Sequence, residues 1–305
     1  MEATAAPVAL RPCGTCGADA EFASTGLFRV NAQKKRLDVW LIYRCATCGS
    51  VWNSAVISRG RPGSIDREEL ERFTGNDPAT ALREAVRSVR CGESGVLMKG
   101  MLNSSDFLRG VLNKEEGLRT GRRLSHIAAV ELPGYHKLIY STDGGMNIDP
   151  DLAAKKDILA NALLALRSWG YECPKVACLA ANERVDPHNP ATIDAAGLVE
   201  AWERGEFPTQ CIVEGPIAMD VALNRESALH KGIESRVSGD ADIFLMPIME
   251  VGNVAIKGLL HFLKGSQVAG LILGAAAPVV MTSRSEPPSA KLYATALGCL
   301  AARNA

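Results

Sequence analysis

The sequence has no excess charge of either sign: 34 Lys+Arg stand against 34 Asp+Glu in 305 residues. Polyanion binding by counterion release needs a strong basic surplus, so this balance argues against a general nucleic-acid or membrane-surface binder. Aromatic residues are scarce at 5%, which leaves Ala, Val, Leu and Ile to build the core. Long hydrophobic runs are missing too. The longest, residues 268–281, is broken by Gly270, Gly274 and Pro278. It is too short to span a bilayer and reads as two buried strands with a break. No N-terminal signal is visible, because the apolar first ten residues lack a basic leader and a long hydrophobic segment. Internal repeats and low-complexity tracts are also absent. The remainder, 47% hydrophobic and 22% charged, excludes a largely disordered chain. The length predicts about two domains.

Nine cysteines are present. Cys91, Cys173, Cys178, Cys211 and Cys299 are scattered, and an odd count without a signal fits a reducing cytoplasm. The other four form two pairs, Cys13-Gly-Thr-Cys16 and Cys45-Ala-Thr-Cys48, each followed by a glycine, Gly17 and Gly49. Two thiolates on a tight turn make a knuckle. Two knuckles joined by a β-hairpin supply four sulfurs in a tetrahedron, which suits one structural Zn²⁺. A redox CxxC pair is the competing reading. Lys34, Lys35 and Arg36 read as a solvated hairpin tip rather than a nucleic-acid site.

The chain changes character near residue 84. Residues 1–62 read as short strands and turns, residues 65–73 as a short helix, and residues 79–89 as a helix opened by Pro78. Beyond that, apolar runs at 95–98, 127–132, 138–142, 176–181, 211–213, 243–246, 270–273 and 279–281 alternate with helical patterns. The clearest helix spans residues 150–169. Asp149 is its expected N-cap, Pro150 its first residue and Gly170 its C′ residue. Leu152, Leu159, Leu163 and Leu166 give it one apolar face. Residues 252–264 and 288–302 read as two more helices. The alternation predicts an α/β architecture with a mainly parallel sheet.

Two resemblances add to this reading. Phe28-Arg-Val-Asn31, residues 35–45 and Trp52-Asn53 resemble a bacterial zinc-ribbon-like family of unknown function, over about residues 10–85. From about residue 81 the chain resembles the phosphate acetyltransferases and phosphate butyryltransferases, the butyryl branch more closely. The residues that carry this are 96–109, Gly117-Leu-Arg-Thr-Gly121, Ser125-His126, Thr142-Asp-Gly-Gly-Met-Asn-Ile148, Glu214-Gly-Pro-Ile-Ala-Met-Asp220, Gly239-Asp-Ala-Asp242, Pro247-Ile-Met-Glu-Val-Gly-Asn253 and Thr282-Ser-Arg284. The resemblance implies a two-domain fold like that of isocitrate dehydrogenase-type enzymes, with the site in the interdomain cleft. It implies exchange of an acyl group between coenzyme A and inorganic phosphate, with coenzyme A as substrate and no redox cofactor.

Some of this chemistry stands on the residues alone. Thr282-Ser283-Arg284 follows an expected strand and precedes a helix, where α/β sheets place ligands and helix N-termini favour phosphate. Arg284 can hold a phosphoryl group through its planar fork. Ser283 can donate to a developing thiolate or oxyanion. The plainer alternatives are a capping serine and a surface arginine. Glu286 is the candidate base for the thiol, in a place where related sequences commonly have an aspartate. Lys99, at a strand end, and Arg109, on the next helix, are expected at the anionic substrate, with Arg119 a weaker candidate. Asn253, Asp143 and Asn147 are expected to shape the cleft. The five histidines show no ligand spacing, and there is no Gly-x-Ser-x-Gly elbow, so a Ser-His-Asp hydrolase is not indicated.

The family's N-terminal portion has no counterpart in this chain. The expected domains are a zinc-ribbon-like module with its linker (1–77), a partial first α/β domain (78–121 plus 272–305) and a second α/β domain (122–271). An incomplete first domain would expose a sheet edge and an apolar face, for which a homodimer is the expected refuge. Two function classes follow. One is a phosphate acyltransferase impaired by the missing half-domain. The other is an inactive fusion that serves as a zinc-ribbon interaction module.

Overall fold

A computed structural model describes residues 8–33, 36–60, 78–100, 102–282 and 287–303. In chain order its strands and helices are β1 (Val8–Pro12), β2 (Asp19–Gln33), β3 (Arg36–Cys45), β4 (Val51–Gly60), α1 (Pro78–Arg90), β5 (Leu97–Met98), α2 (Ser104–Val111), β6 (Ser125–Glu131), β7 (Ile139–Thr142), α3 (Leu152–Ser168), β8 (Lys175–Leu179), α4 (Pro190–Glu203), β9 (Ile212–Ile217), α5 (Met219–Leu223), α6 (Arg225–His230), β10 (Ile243–Leu245), α7 (Met249–Phe262), β11 (Gln267–Leu273), β12 (Val279–Val280) and α8 (Pro288–Arg303). The expected helix at 65–73 and the basic pair Lys34 and Lys35 lie outside the described residues. The chain divides into two compact units, Met1–Ala81 and Leu82–Ala305.

The first unit is an antiparallel meander in the order β1-β2-β3-β4. Its strands are longer than the sequence suggested; β2 alone has 15 residues. Among the described residues Cys13, Ala20, Phe22, Tyr43 and Cys45 are buried, with Trp52 against them. Trp52 meets Phe22 edge-on at 5.9 Å and Tyr43 at 5.2 Å, and the Arg11 guanidinium lies 4.3 Å from the Trp52 ring centre.

The second unit is built on one eight-stranded sheet in the order β5-β12-β11-β6-β7-β10-β8-β9. It is mixed rather than mainly parallel. β7, β10, β8 and β9 run parallel, as do β5 and β12. In the middle β6 pairs antiparallel with both β7 and β11, and β11 with β12. The connections explain the difference. β6 turns into β7 through a short loop with Gly134 at φ +93°, and β11 into β12 through one with Gly274 at φ +86°; neither loop is long enough for a parallel crossover. Helices supply the crossovers elsewhere, α3 between β7 and β8, α4 between β8 and β9, α5 and α6 between β9 and β10, and α7 between β10 and β11.

Three apolar clusters hold this unit. One lies under α3, α4 and α8, around Leu159, Leu163, Val176 and Leu271. A second lies on the opposite face under α5, α6 and α7, around Val130, Val221 and Phe244. The third joins α1 and α2 to β5 and β12 through Leu82, Phe107, Leu118 and Val279. The helix α3 corrects one expectation. Its N-cap is Asp151, whose carboxylate accepts from the Ala154 amide at 2.8 Å, and not Asp149. Its C-terminal end is as expected, with Gly170 at φ +95° just past Trp169.

Candidate active site and cysteine cluster

Between α7 and the face of the sheet lies a cleft of about 280 Å³. β6 contributes His126 and Ala128, β11 Val268 and Gly270, and β7 Ser141; Gly144 and Gly145 follow β7. The helix α7 adds Asn253, Ile256, Lys257 and Leu260, and Met281 and Thr282 follow β12. The ends of β7 and β12 and the start of α7 therefore meet at one place, where open α/β sheets bind ligands.

Asp143 organises that end. Its buried carboxylate accepts from the backbone amides of His126 (3.1 Å), Gly145 (2.7 Å), Met146 (2.9 Å) and Asn147 (3.3 Å), and from Asn147 Nδ2 (2.6 Å). Asn147 Nδ2 also reaches the Leu124 carbonyl at 3.0 Å. The loop after β7 is thus tied to the start of β6. Gly144 and Gly252 bring this loop against the first turn of α7. A Cβ on Gly252 would fall 2.9 Å from Gly144 Cα, closer than packed carbons allow. Asn253 Nδ2 donates to the Gly144 carbonyl at 3.1 Å across the same contact.

His126 stands among the motif residues with no role assigned to it, and it lines the cleft. Its ring is sandwiched by two glycines: a Cβ on Gly145 would sit 2.8 Å from its Cγ, and one on Gly270 3.0 Å from its Nε2. Its Nδ1 is buried with no hydrogen-bond partner among the described residues. Burial pushes its pKa below the usual histidine range, with the Asp143 carboxylate opposing, so the ring is neutral near pH 7. The absence of ligand spacing among the histidines hid it. The available signal was its place at the head of an apolar run beside Ser125.

The sequence candidates are dispersed. Asn253 lines the cleft. Lys99 is buried, and its ammonium donates to the carbonyls of Leu102 (3.1 Å) and Gly100 (3.4 Å). Arg109 is exposed on α2 and paired with Asp106 at 3.0 Å. Arg119 is exposed beside a bridge to Ala275. Neither Lys99, Arg109 nor Arg119 is among the residues that line the cleft. Ser283, Arg284 and Glu286 lie outside the described residues; the chain enters them from Thr282, on the cleft wall.

Comparison with known proteins shows the family. Residues 51–299 match the family model described as Phosphate acetyl/butaryl transferase. The chain belongs to that family. The match begins at the first residue of β4, earlier than the start near residue 81 expected from the motifs. The chain is 43% identical over 240 residues to the phosphate butyryltransferase of Clostridium acetobutylicum, covering 79% of each chain. It is 41% identical over 220 residues to the phosphate acetyltransferase of Rhizobium meliloti, covering 72% of this chain and 69% of the other. The crystal structure of a branched-chain phosphotransacylase from Enterococcus faecalis superposes with a TM-score of 0.69 at 33% identity, over 74% of this chain and 80% of that one.

This phosphate acetyl/butyryl transferase family member also carries the four-cysteine cluster. The four Sγ atoms lie within 4.8 Å of one another. The two knuckles repeat each other. The Gly17 amide donates to the Cys13 carbonyl at 2.8 Å, and the Gly49 amide to the Cys45 carbonyl at 2.9 Å, with φ +70° and +74° at the glycines. Cys13 and Cys45 are buried and Cys16 and Cys48 exposed. The Ser50 hydroxyl oxygen lies 3.2 Å from Cys13 Sγ and 3.1 Å from Cys48 Sγ. It is the main cause that brings the Cys13 thiol down to about 5. Four sulfurs at such spacing fit a tetrahedral ion with metal–sulfur bonds of about 2.3 Å.

Proposed function

We propose that this protein transfers an acyl group between coenzyme A and inorganic phosphate, giving acyl phosphate and free coenzyme A, with butyryl-type groups favoured. The observation that carries the reading is the 43% identity to a phosphate butyryltransferase over 240 residues. In this reading acyl-CoA and phosphate are substrates and no redox cofactor takes part. Arg284 holds the phosphoryl oxygens with its fork, and Ser283 donates to the anion that develops as the thioester breaks. Glu286 takes the thiol proton in the reverse direction. Asn253 keeps the cleft in shape, and Lys99, Arg109 and Arg119 serve the anionic substrate. A structural Zn²⁺ sits on Cys13, Cys16, Cys45 and Cys48. The protein works in the cytoplasm as a homodimer, whose interface covers the edge and apolar face of a first domain (78–121 plus 272–305) smaller than the second (122–271).

The test is a thiol-release assay with butyryl-CoA and phosphate. CoA release above background is expected. Arg284→Ala should cost more than Ser283→Ala, and the serine variant on the order of 10²–10³ in turnover. Arg284→Lys should restore charge but not the bidentate contact. In the reverse direction, with butyryl phosphate and CoA, Glu286→Gln should lower the rate and remove the low-pH limb of the profile.

A second reading rests on the cysteine cluster: an inactive body attached to a metal-stapled interaction module. A parent protein without CoA release but with one bound metal would favour it.

A further inference from the structure

The cleft is not uniform along its length, and the strand registers give its order. His126 and Ala128 share one face of β6, because alternate residues of a strand do. Gly270 lies opposite Ala128, and Val268 opposite Val130, one step further along. The helix α7 runs beside them with Asn253, Ile256 and Leu260 at successive turns of one face. Asn253 touches the loop after β7, so α7 begins at the His126 end. Leu260 and Val268 pack against the same apolar cluster at the other.

One end of the cleft is therefore polar and the other is apolar. At the polar end stand the neutral His126 ring, with its unpartnered Nδ1, and Thr282. At the other end Ala128, Ile256, Leu260 and Val268 face the space, with Lys257 next to Ile256 on α7. The floor between them is made of small residues, Ala128 and Gly270. One charged residue, Lys257, also lines the cleft from an exposed position on α7; the apolar side chains around it would be left unmatched by phosphate alone. A ligand with a polar head and a short aliphatic tail matches both ends.

We infer that this cleft is the acyl-chain site: the carbonyl lies at the His126 and Thr282 end, and the aliphatic tail runs over Ala128 towards Ile256, Leu260 and Val268. This rests on the acyltransferase reading above and adds to it the residues that set chain length. Ala128 is the floor. A larger side chain there shortens the space, and a smaller one at Val268 lengthens it.

The experiment measures kcat/KM and, separately, Kd for acetyl-, butyryl- and hexanoyl-CoA with the full chain, Ala128→Leu and Val268→Ala. A hydrophobic pocket discriminates about 10–200-fold per methylene. Ala128→Leu should lower the butyryl-to-acetyl ratio at least about tenfold. Val268→Ala should raise the hexanoyl-to-butyryl ratio, and it covers the case in which the leucine variant does not fold. Turnover with all ratios within twofold of the parent overturns the inference and leaves the activity standing. Absence of turnover with the same shifts in Kd overturns the activity and supports the site. Absence of both turnover and chain-length-dependent binding overturns both.

Discussion

Among the residues of the β1–β4 unit whose side chains are described, five are buried in a core with one half-buried tryptophan against them, and two of the five are cysteines of the sulfur cluster. The unit from Leu82 onward packs three clusters on both faces of an eight-stranded sheet, with Leu159, Leu163 and Leu166 fully enclosed under α3. Below about 70–80 residues a single hydrophobic core rarely supplies more than about 3–5 kcal/mol, and the gain rises with chain length. The small unit therefore depends on its thiols for stability, and the large one on apolar area. The two should fail independently and for different reasons.

Stripping the proposed zinc should have the largest effect. Structural zinc contributes on the order of 10–16 kcal/mol in small metal-folded units. Chelation, or Cys45→Ser, should make residues 8–60 protease-sensitive and bring metal content from one per chain to zero, while the unfolding transition of the α/β unit persists. Loss of both transitions together would break the comparison. Leu163→Ala is the converse probe. It removes a fully buried side chain, which costs about 2–5 kcal/mol. It should lower the melting temperature of the α/β unit and leave bound zinc unchanged.

The smallest effect concerns surface charge. Asp240 lies 2.8 Å from Lys137, 2.5 Å from Lys175 and 2.9 Å from His136. Burial raises its pKa, but these three hydrogen-bonding partners together outweigh it and hold the carboxyl below the usual range. A depressed carboxyl pKa stabilises the fold above the unfolded value near 3.9, and this contribution is lost as pH falls. Asp240→Asn should therefore lower the melting temperature at pH 7, by no more than about 2–4 °C for an exposed cluster. The difference from the parent should close below about pH 4. A difference that grows with acidity would refute the assignment.

Residue chemistry with a fixed local geometry was the most legible part of the sequence. The CxxC pairs and their glycines announced a sulfur cluster because a knuckle is closed within five residues. Gly170 announced a helix end for the same reason. Asp149 and Asp151 flank one proline, and which of them caps α3 depends on which carboxylate turns back to the Ala154 amide; spacing does not carry that. The antiparallel centre of the sheet was also illegible, since an apolar run has no direction. Lys99 reads as a ligand-binding cation at a strand end, and spacing does not carry that its ammonium donates to the carbonyls of Gly100 and Leu102. His126 draws its importance from Gly145 and Gly270, which are distant in sequence and meet only when β6 and β11 pair.

The contact between Gly144 and Gly252 has a mechanical meaning. With no Cβ on either side, two backbones rest directly on each other, and no flexible side chain absorbs a displacement. The first turn of α7, the loop after β7 and, through Asp143, the start of β6 form one rigid joint. The far end of α7, at Leu260, has no such clamp. Lengthening either glycine by a single carbon would act as a wedge at the joint, and it would tilt a whole helix rather than fill one small gap.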